Sequence, residues 1–253
     1  MRPFDLLIFD LGSTLIYFDG EWPKVFARAN AELLRHLNAA ALDLPSEDFL
    51  REFSARLESY YAERDTEFVE YTTAYVLRTL LGEWGYPDFP EEQLRPALQA
   101  MYAVSQSHWH PEEDAHPTLS ALRQQDYRLA LISNASDDAD VQTLVDKACI
   151  RPFFEMILTS AAAGIRKPNP QIFRIVLEKL GVAADRAAMI GDTLGADILG
   201  AQNAGLFSIW ITRRADAAGN RAHTGLVHPD AVSDTLAELP LLLSQLVRSP
   251  RSG

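Results

Sequence analysis

Hydrophobic positions along the chain change period twice. The stretch Phe4-Asp5-Leu6-Leu7-Ile8-Phe9 is nearly continuous in apolar residues, the pattern of a parallel strand buried on both faces. From Trp22 to about Ser107 the period becomes helical, and Pro, Gly and Asp-rich breaks divide it into four expected helices. Trp22, Val25, Phe26, Ala29, Leu33 and Leu37 form one stripe; Phe49, Leu50, Phe53, Leu57 and Tyr60 form a second, opened by Ser46 as N-cap after Pro45. A third runs through Phe68, Tyr75, Val76, Leu80 and Trp84, and a weaker fourth through Leu94, Leu98, Met101 and Tyr102. Together they predict a small helical bundle.

After Pro117 helix and strand alternate. Strands are expected at Arg128–Ser133, Glu155–Thr159, Ala187–Gly191 and Phe207–Thr212, with helices through Leu119 and Leu122, near Val141–Lys147, and between the later strands. Such alternation predicts an α/β fold, a doubly wound parallel sheet flanked by helices. The first strand belongs to that sheet, so the bundle is an insertion: residues 1–16 and 115–253 form the core and 17–114 a helical cap over the carboxyl ends of the strands. The tail Ser249–Gly253 is expected to fray.

Polar residues fall where this arrangement gives them meaning. Asp10 ends the first strand, Ser133 and Asn134 the second, Lys167 precedes a helix after the third, and Gly191-Asp192 end the fourth, with Asp197 five residues further on. In a parallel sheet all of them converge on one crevice. Asp10, Asp192 and Asp197 repel one another unless a cation lies between them, and three hard oxygen donors suit Mg²⁺. Each residue alone has a plainer reading, as a cap, a loop lysine or a helix-end charge; it is their company that singles them out. Ser13, Thr14 and Tyr17, beside the turn after Asp10, are expected at the substrate together with Asn134, and Phe18 is expected to line the same space. His108 and His110, in SHWH, are expected on a hinge or surface stretch rather than at a metal.

Composition narrows the partners. In 253 residues, 47% apolar and 23% charged, there is material for a sizeable core. Twenty-three basic residues against 35 acidic give a net charge of −12, a field that disfavours nucleic acid and anionic lipid. An anionic small molecule then needs local positive charge, from an ion or a placed lysine. Cys149 is the only cysteine, so no intrachain disulfide forms. With no spanning run and no signal-peptide pattern at MRPFDLLIFD, the expectation is a cytoplasmic protein, monomer or homodimer, acting on a small molecule.

FDLGSTL, LISNAS, the lysine of GIRKPNP and GDTLGAD followed by ILGAQNAG resemble, in order, the four motifs of the haloacid dehalogenase superfamily of hydrolases. The segment order resembles the subgroup with a helical cap inserted between the first and second motifs, and HPDAVSDTLAEL is similar to the family's last strand and helix. The resemblance implies a Mg²⁺-dependent phosphatase in which Asp10 is the nucleophile, Ser133 binds the transferring phosphoryl group and Lys167 bridges nucleophile and phosphate. It further implies a metal held by Asp10, the Gly12 carbonyl and Asp192, with Asp197 direct or through water, and Thr14 orienting Asp10.

One position departs from that pattern. Phosphatases of the family usually carry a second aspartate, the acid and base, where this chain has Gly12. Such catalysis is typically worth about 10²–10⁴ in rate. Three outcomes stay open: Asp19 or Glu21 substitutes, the substrate needs little protonation, or catalysis is vestigial and the chain is a regulatory or binding protein. Gly12 is also similar to the branch that displaces halide from 2-haloacids without metal, but that branch does not keep the acidic pair present in GDTLGAD.

Overall fold

The computed structural model describes residues 2–246 apart from 41, 43 and 217; the side-chain cap expected of Ser46 and the tail Ser249–Gly253 lie outside the described residues. Its strands are β1 (Leu6–Phe9), β2 (Ile16–Phe18), β3 (Trp109–Pro111), β4 (Arg128–Ser133), β5 (Met156–Thr159), β6 (Ala187–Gly191), β7 (Phe207–Ile211) and β8 (Ala231–Ser233). The helices are α1 (Trp22–Ala39), α2 (Ser46–Glu67), α3 (Thr73–Glu83), α4 (Glu91–Gln106), α5 (Ala115–Gln124), α6 (Asp138–Lys147), α7 (Ser160–Ala163), α8 (Pro170–Leu180), α9 (Leu199–Ala204), α10 (Ala218–Arg221) and α11 (Leu239–Gln245).

Six strands pair in parallel in the order β5-β4-β1-β6-β7-β8. The two-residue period of a strand sorts their side chains between two apolar layers. Leu7, Phe9, Leu129, Leu131, Ala188 and Ile190 face the layer that contains Leu119, Leu122, Val145 and Leu239. Leu6, Ile8, Ala130, Ile132, Ala187 and Met189 face the opposite layer, packed on Ile172, Phe173 and Ala201. Because both faces are covered, the central strands β1 and β6 read as unbroken apolar runs. The chain winds outward from β1 through β4 to β5, then returns to the other side of β1 for β6, β7 and β8. That reversal opens a crevice beyond the carboxyl ends of β1 and its neighbours.

Helices α1–α4 have a separate apolar core, in which Leu33, Leu37, Phe49, Phe53, Leu77, Leu80 and Leu94 are fully buried. Each such side chain contributes about 1.5–3 kcal/mol relative to exposure. The chain enters and leaves this group of helices through an antiparallel ribbon in which Ile16 pairs with Pro111, Tyr17 with His110 and Phe18 with Trp109. The SHWH stretch, expected to be a hinge or surface segment, thus includes the start of the second strand of this ribbon. Phe68, expected on the third helix, lies before it: it has φ 54°, and α3 starts only after Thr72, whose hydroxyl accepts the Tyr75 N–H at 3.1 Å.

The link between α2 and α3 also pairs with the core. Val69 bridges Ile165, the Glu70 N–H donates to the Gly164 carbonyl at 3.1 Å, and the Arg166 N–H donates to the Phe68 carbonyl at 3.0 Å. Buried Glu70 accepts from Arg166 at 3.2 Å and from the Ser160 hydroxyl at 2.8 Å. The helical layer is therefore tied to the loop that carries Lys167.

Candidate active site

Asp10 is the residue at which β1 stops. Its N–H still donates to the Ile190 carbonyl, at 2.9 Å, so the last ladder bond fixes the backbone while the side chain passes beyond the sheet. The turn that follows is tight: Ser13 has φ 61°, and its N–H donates to the Ile16 carbonyl at 2.6 Å.

Lys167 arrives from the loop before α8. Its ammonium donates to Asp10 Oδ1 at 2.6 Å, Asp197 Oδ1 at 2.7 Å and the Ile132 carbonyl at 2.8 Å, the full donor capacity of the group. Burial alone would lower its pKa, but Asp10 and Asp197 outweigh that and raise it, so the lysine stays charged. Asn134 holds the same residue by its backbone: the Lys167 N–H donates to Oδ1 and Nδ2 donates to the Lys167 carbonyl, both at 2.9 Å. Ser133 ends β4 at the wall of the same cavity.

On the other side, β6 ends in Gly191 and delivers Asp192. Asp197 follows within a π-helical turn, Leu194–Ile198, and folds back over the strand end. A Cβ on Gly191 would overlap the Asp197 carboxyl group, so glycine is required there. Each oxygen of Asp197 accepts a hydrogen bond, Oδ1 from Lys167 and Oδ2 from the Thr193 N–H at 2.9 Å.

The carboxylates of Asp10, Asp192 and Asp197 offer oxygens within 4.8 Å of one another. Burial, opposed by Lys167 and reinforced by Asp197, pushes Asp10 up to about 6. Burial, reinforced by Asp10 and Asp197, pushes Asp192 up to about 8. Two acids that hold their protons more tightly than usual, side by side and oxygen-only, are a donor set that a hard divalent cation fits, because the ion would neutralise the charge that burial penalises.

The structure thus brings together Asp10, Gly12, Ser13, Ser133, Asn134, Lys167, Asp192 and Asp197 around one cavity of about 530 Å³. Thr14 and Tyr17 are not on its wall. Thr14 is buried behind it, its hydroxyl donating to Asp192 Oδ1 at 3.3 Å. Tyr17 follows Ile16 on β2, and strand alternation turns it to the other face, where the Arg214 guanidinium lies 4.2 Å over its ring. Phe18, which packs on Trp22 and Trp109, and the exposed Asp19 and Glu21 are likewise absent from the lining.

The model of the haloacid dehalogenase-like hydrolases matches residues 4–205. The chain belongs to that family. Its expected fold and its identity as a hydrolase therefore stand. Among similar proteins, the glyceraldehyde 3-phosphate phosphatase of Pyrococcus furiosus is 27% identical over 98% of this chain and 95% of its own length. The phosphoserine phosphatase of Thermus thermophilus is 32% identical over 62% of this chain and 64% of its own. A 2-haloacid dehalogenase structure from Pseudomonas syringae superposes with TM-score 0.66 at 24% identity, covering 96% of this chain and 99% of the other, which bears on the fold alone. Among the described residues, no helix of this hydrolase is long and apolar enough to cross a membrane.

Sequence reading missed some supports of this hydrolase's site. Buried Asn220 donates to the Asp192 carbonyl at 2.9 Å and accepts the Leu194 N–H at 2.7 Å, and the Trp210 indole N–H donates to the same carbonyl at 2.8 Å. Asn220 lies in a short helix far along the chain, with no periodic signal to mark it. Arg166 was passed over beside Lys167, although a second cation next to a site lysine was a usable cue.

Proposed function

We propose that the chain is a Mg²⁺-dependent phosphatase of a small phosphorylated metabolite, working through an aspartyl-phosphate on Asp10. The observation that carries this reading is the ammonium of Lys167 shared between Asp10 and Asp197, beside Asp192, at the ends of adjacent strands. The named activities of the two phosphatase relatives support it.

On this reading Asp10, Asp192 and the Gly12 carbonyl hold the metal, and Asp197, its oxygens engaged, acts through Lys167 or a bridging water. Mg²⁺ supplies charge neutralisation at the phosphate. Asp10, held by its backbone bond to β6, attacks phosphorus; Lys167 balances charge on the nucleophile and the transferring group. Ser133 donates to the phosphoryl oxygens, and Asn134 keeps the lysine loop in register. Residues 17–114 act as a cap that excludes water and selects the substrate.

Gly12, with an apolar ring against it, favours a second reading: metal-independent displacement of halide from a 2-haloacid by the same aspartate. Asp192 and Asp197 weigh against it. A screen of phosphate esters, acyl phosphates and 2-haloacids with and without Mg²⁺ separates the two, and activity on none points to a binding protein. Asp10→Asn is expected to abolish phosphate release while the far-ultraviolet circular dichroism stays unchanged; turnover of a phosphomonoester by that variant overturns the nucleophile.

A further inference from the structure

The groups proposed to do the chemistry lie together at one end of the cavity, and the rest of its wall is mostly uncharged. At the Asp10 end lie the carboxylates, Lys167 and Ser133; elsewhere the wall combines the apolar Trp22, Phe26, Leu57 and Met101 with the hydroxyl-bearing Tyr61, Thr73, Tyr102 and Ser105. The Trp109 indole closes the space beside the nucleophile: a Cβ on Gly12 would lie 3.4 Å from its Cη2 and 3.7 Å from its Cζ3. The ring borders the position where a proton-donating side chain could have stood, and residue 12 itself supplies no proton. Asp19 and Glu21 do not replace it, since neither lines the cavity.

Charge limits the occupant further. Among the described lining residues the cations are Lys167 and Arg166. Lys167 is bound to Asp10 and Asp197, and Arg166 is ion-paired with Glu70, whose side chain is fully buried. A second carboxylate or phosphate on the substrate would have to compete with those pairs. The remaining carboxylate, Asp140, accepts from Gln106 of α4 at 2.8 Å and belongs to the contact between α4 and α6.

We infer, resting on the phosphatase reading above, that the substrate is a monophosphate on an uncharged, largely apolar body whose bridging oxygen departs as a stabilised anion: an aryl or acyl phosphate. An Asp10 oxygen bonds to phosphorus as the bond from phosphorus to the bridging oxygen breaks. The electron pair stays on that oxygen, which leaves as phenolate or carboxylate without a proton from residue 12. Water then attacks the aspartyl-phosphate at phosphorus, the bond to Asp10 breaks and returns its electrons to the carboxylate, and the proton from water goes to the released phosphate or to solvent. An alkoxide leaving group forgoes the factor of about 10²–10⁴ that a general acid supplies; a phenolate forgoes little.

The test uses the full chain with Mg²⁺ and size-matched substrates: a series of aryl phosphates of graded leaving-group acidity, cyclohexyl phosphate as the alkyl control, and 2-phosphoglycolate as a substrate with a second anion. Expected is a kcat/KM for phenyl phosphate at least about 10² above that for cyclohexyl phosphate, rising steeply with leaving-group acidity, and slow release from 2-phosphoglycolate. Comparing benzoyl with phenyl phosphate then tells acyl from aryl as the preferred source. Trp22→Ala, at a half-exposed ring on the cavity wall, is expected to narrow the preference for naphthyl over phenyl phosphate by about tenfold. Equal rates on phenyl and cyclohexyl phosphate, or faster release from 2-phosphoglycolate than from phenyl phosphate, overturn the substrate class and leave the phosphatase reading standing. No phosphate release even from 4-nitrophenyl phosphate overturns both.

Discussion

At the scale of single residues, the site depends on close approach as much as on charge. Asp197 can reach both Lys167 and the Thr193 N–H only because Gly191 has no side chain in its path. Gly191→Ala must push the carboxylate off the strand end, and Lys167 then loses one of its two anionic partners. Steric insertion into a packed interior typically costs about 1–3 kcal/mol, and misplacement of a charge partner by an ångström can lower turnover about a hundredfold. The expected outcome is a folded protein with a lower urea midpoint and phosphatase turnover reduced by about two orders of magnitude. Unchanged kcat would mean that the contact between Asp197 and Lys167 does not matter to the reaction. Tyr17, beside the turn in sequence, is one strand residue out of phase with the cavity wall and lies under Arg214 instead.

Among elements, the contact of α4 with α6 carries a pH-dependent term. Asp140, near the start of α6, accepts from Gln106 at the end of α4, and Lys147 donates to the Gln106 carbonyl at 2.8 Å. Burial, reinforced by Asp137 and opposed by Gln106 and Lys147, pushes Asp140 from 3.8 up to about 7. The folded state therefore prefers the protonated acid. Its contribution is complete below the unfolded value, falls as pH rises toward about 7 and is gone above it. Asp140→Asn, uncharged throughout, is expected to lose less stability than the parent between pH 5 and 7, by about 1–2 kcal/mol in urea denaturation. Every other carboxylate is shared by the two proteins, so identical slopes would refute the shift.

Elements also differed in how far the sequence announced them. Strands β4 and β6, buried on both faces, have the bounds expected from their apolar runs, because burial on two sides leaves no polar interruption. The ribbon of β2 and β3 went unseen: three residues a side are too few for a period to register, and its pairing spans the whole helical insertion. The Glu70–Arg166 pair was equally hidden, since two charged residues 96 positions apart carry no local pattern. The clustering of Asp10, Lys167, Asp192 and Asp197 was legible because a parallel sheet sends every carboxyl end to the same side.

Across the whole molecule, the net charge of −12 opposes the approach of the dianionic phosphate that the site is proposed to accept. Lys167 does little to reverse this at a distance, as Asp10 and Asp197 already neutralise it. The long-range field thus slows encounter, whereas capture at close range falls to the ion and the lysine. Salt screens the first and barely touches the buried second, since the Debye length is about 10 Å at 0.1 M. Raising KCl from about 10 to about 200 mM at saturating Mg²⁺ is therefore expected to increase kcat/KM for an aryl phosphate about two- to fivefold while kcat holds. A fall in kcat/KM over that range would mean that the mouth of the cavity presents a net positive field, which neither the charge balance nor the paired cations on its wall predict.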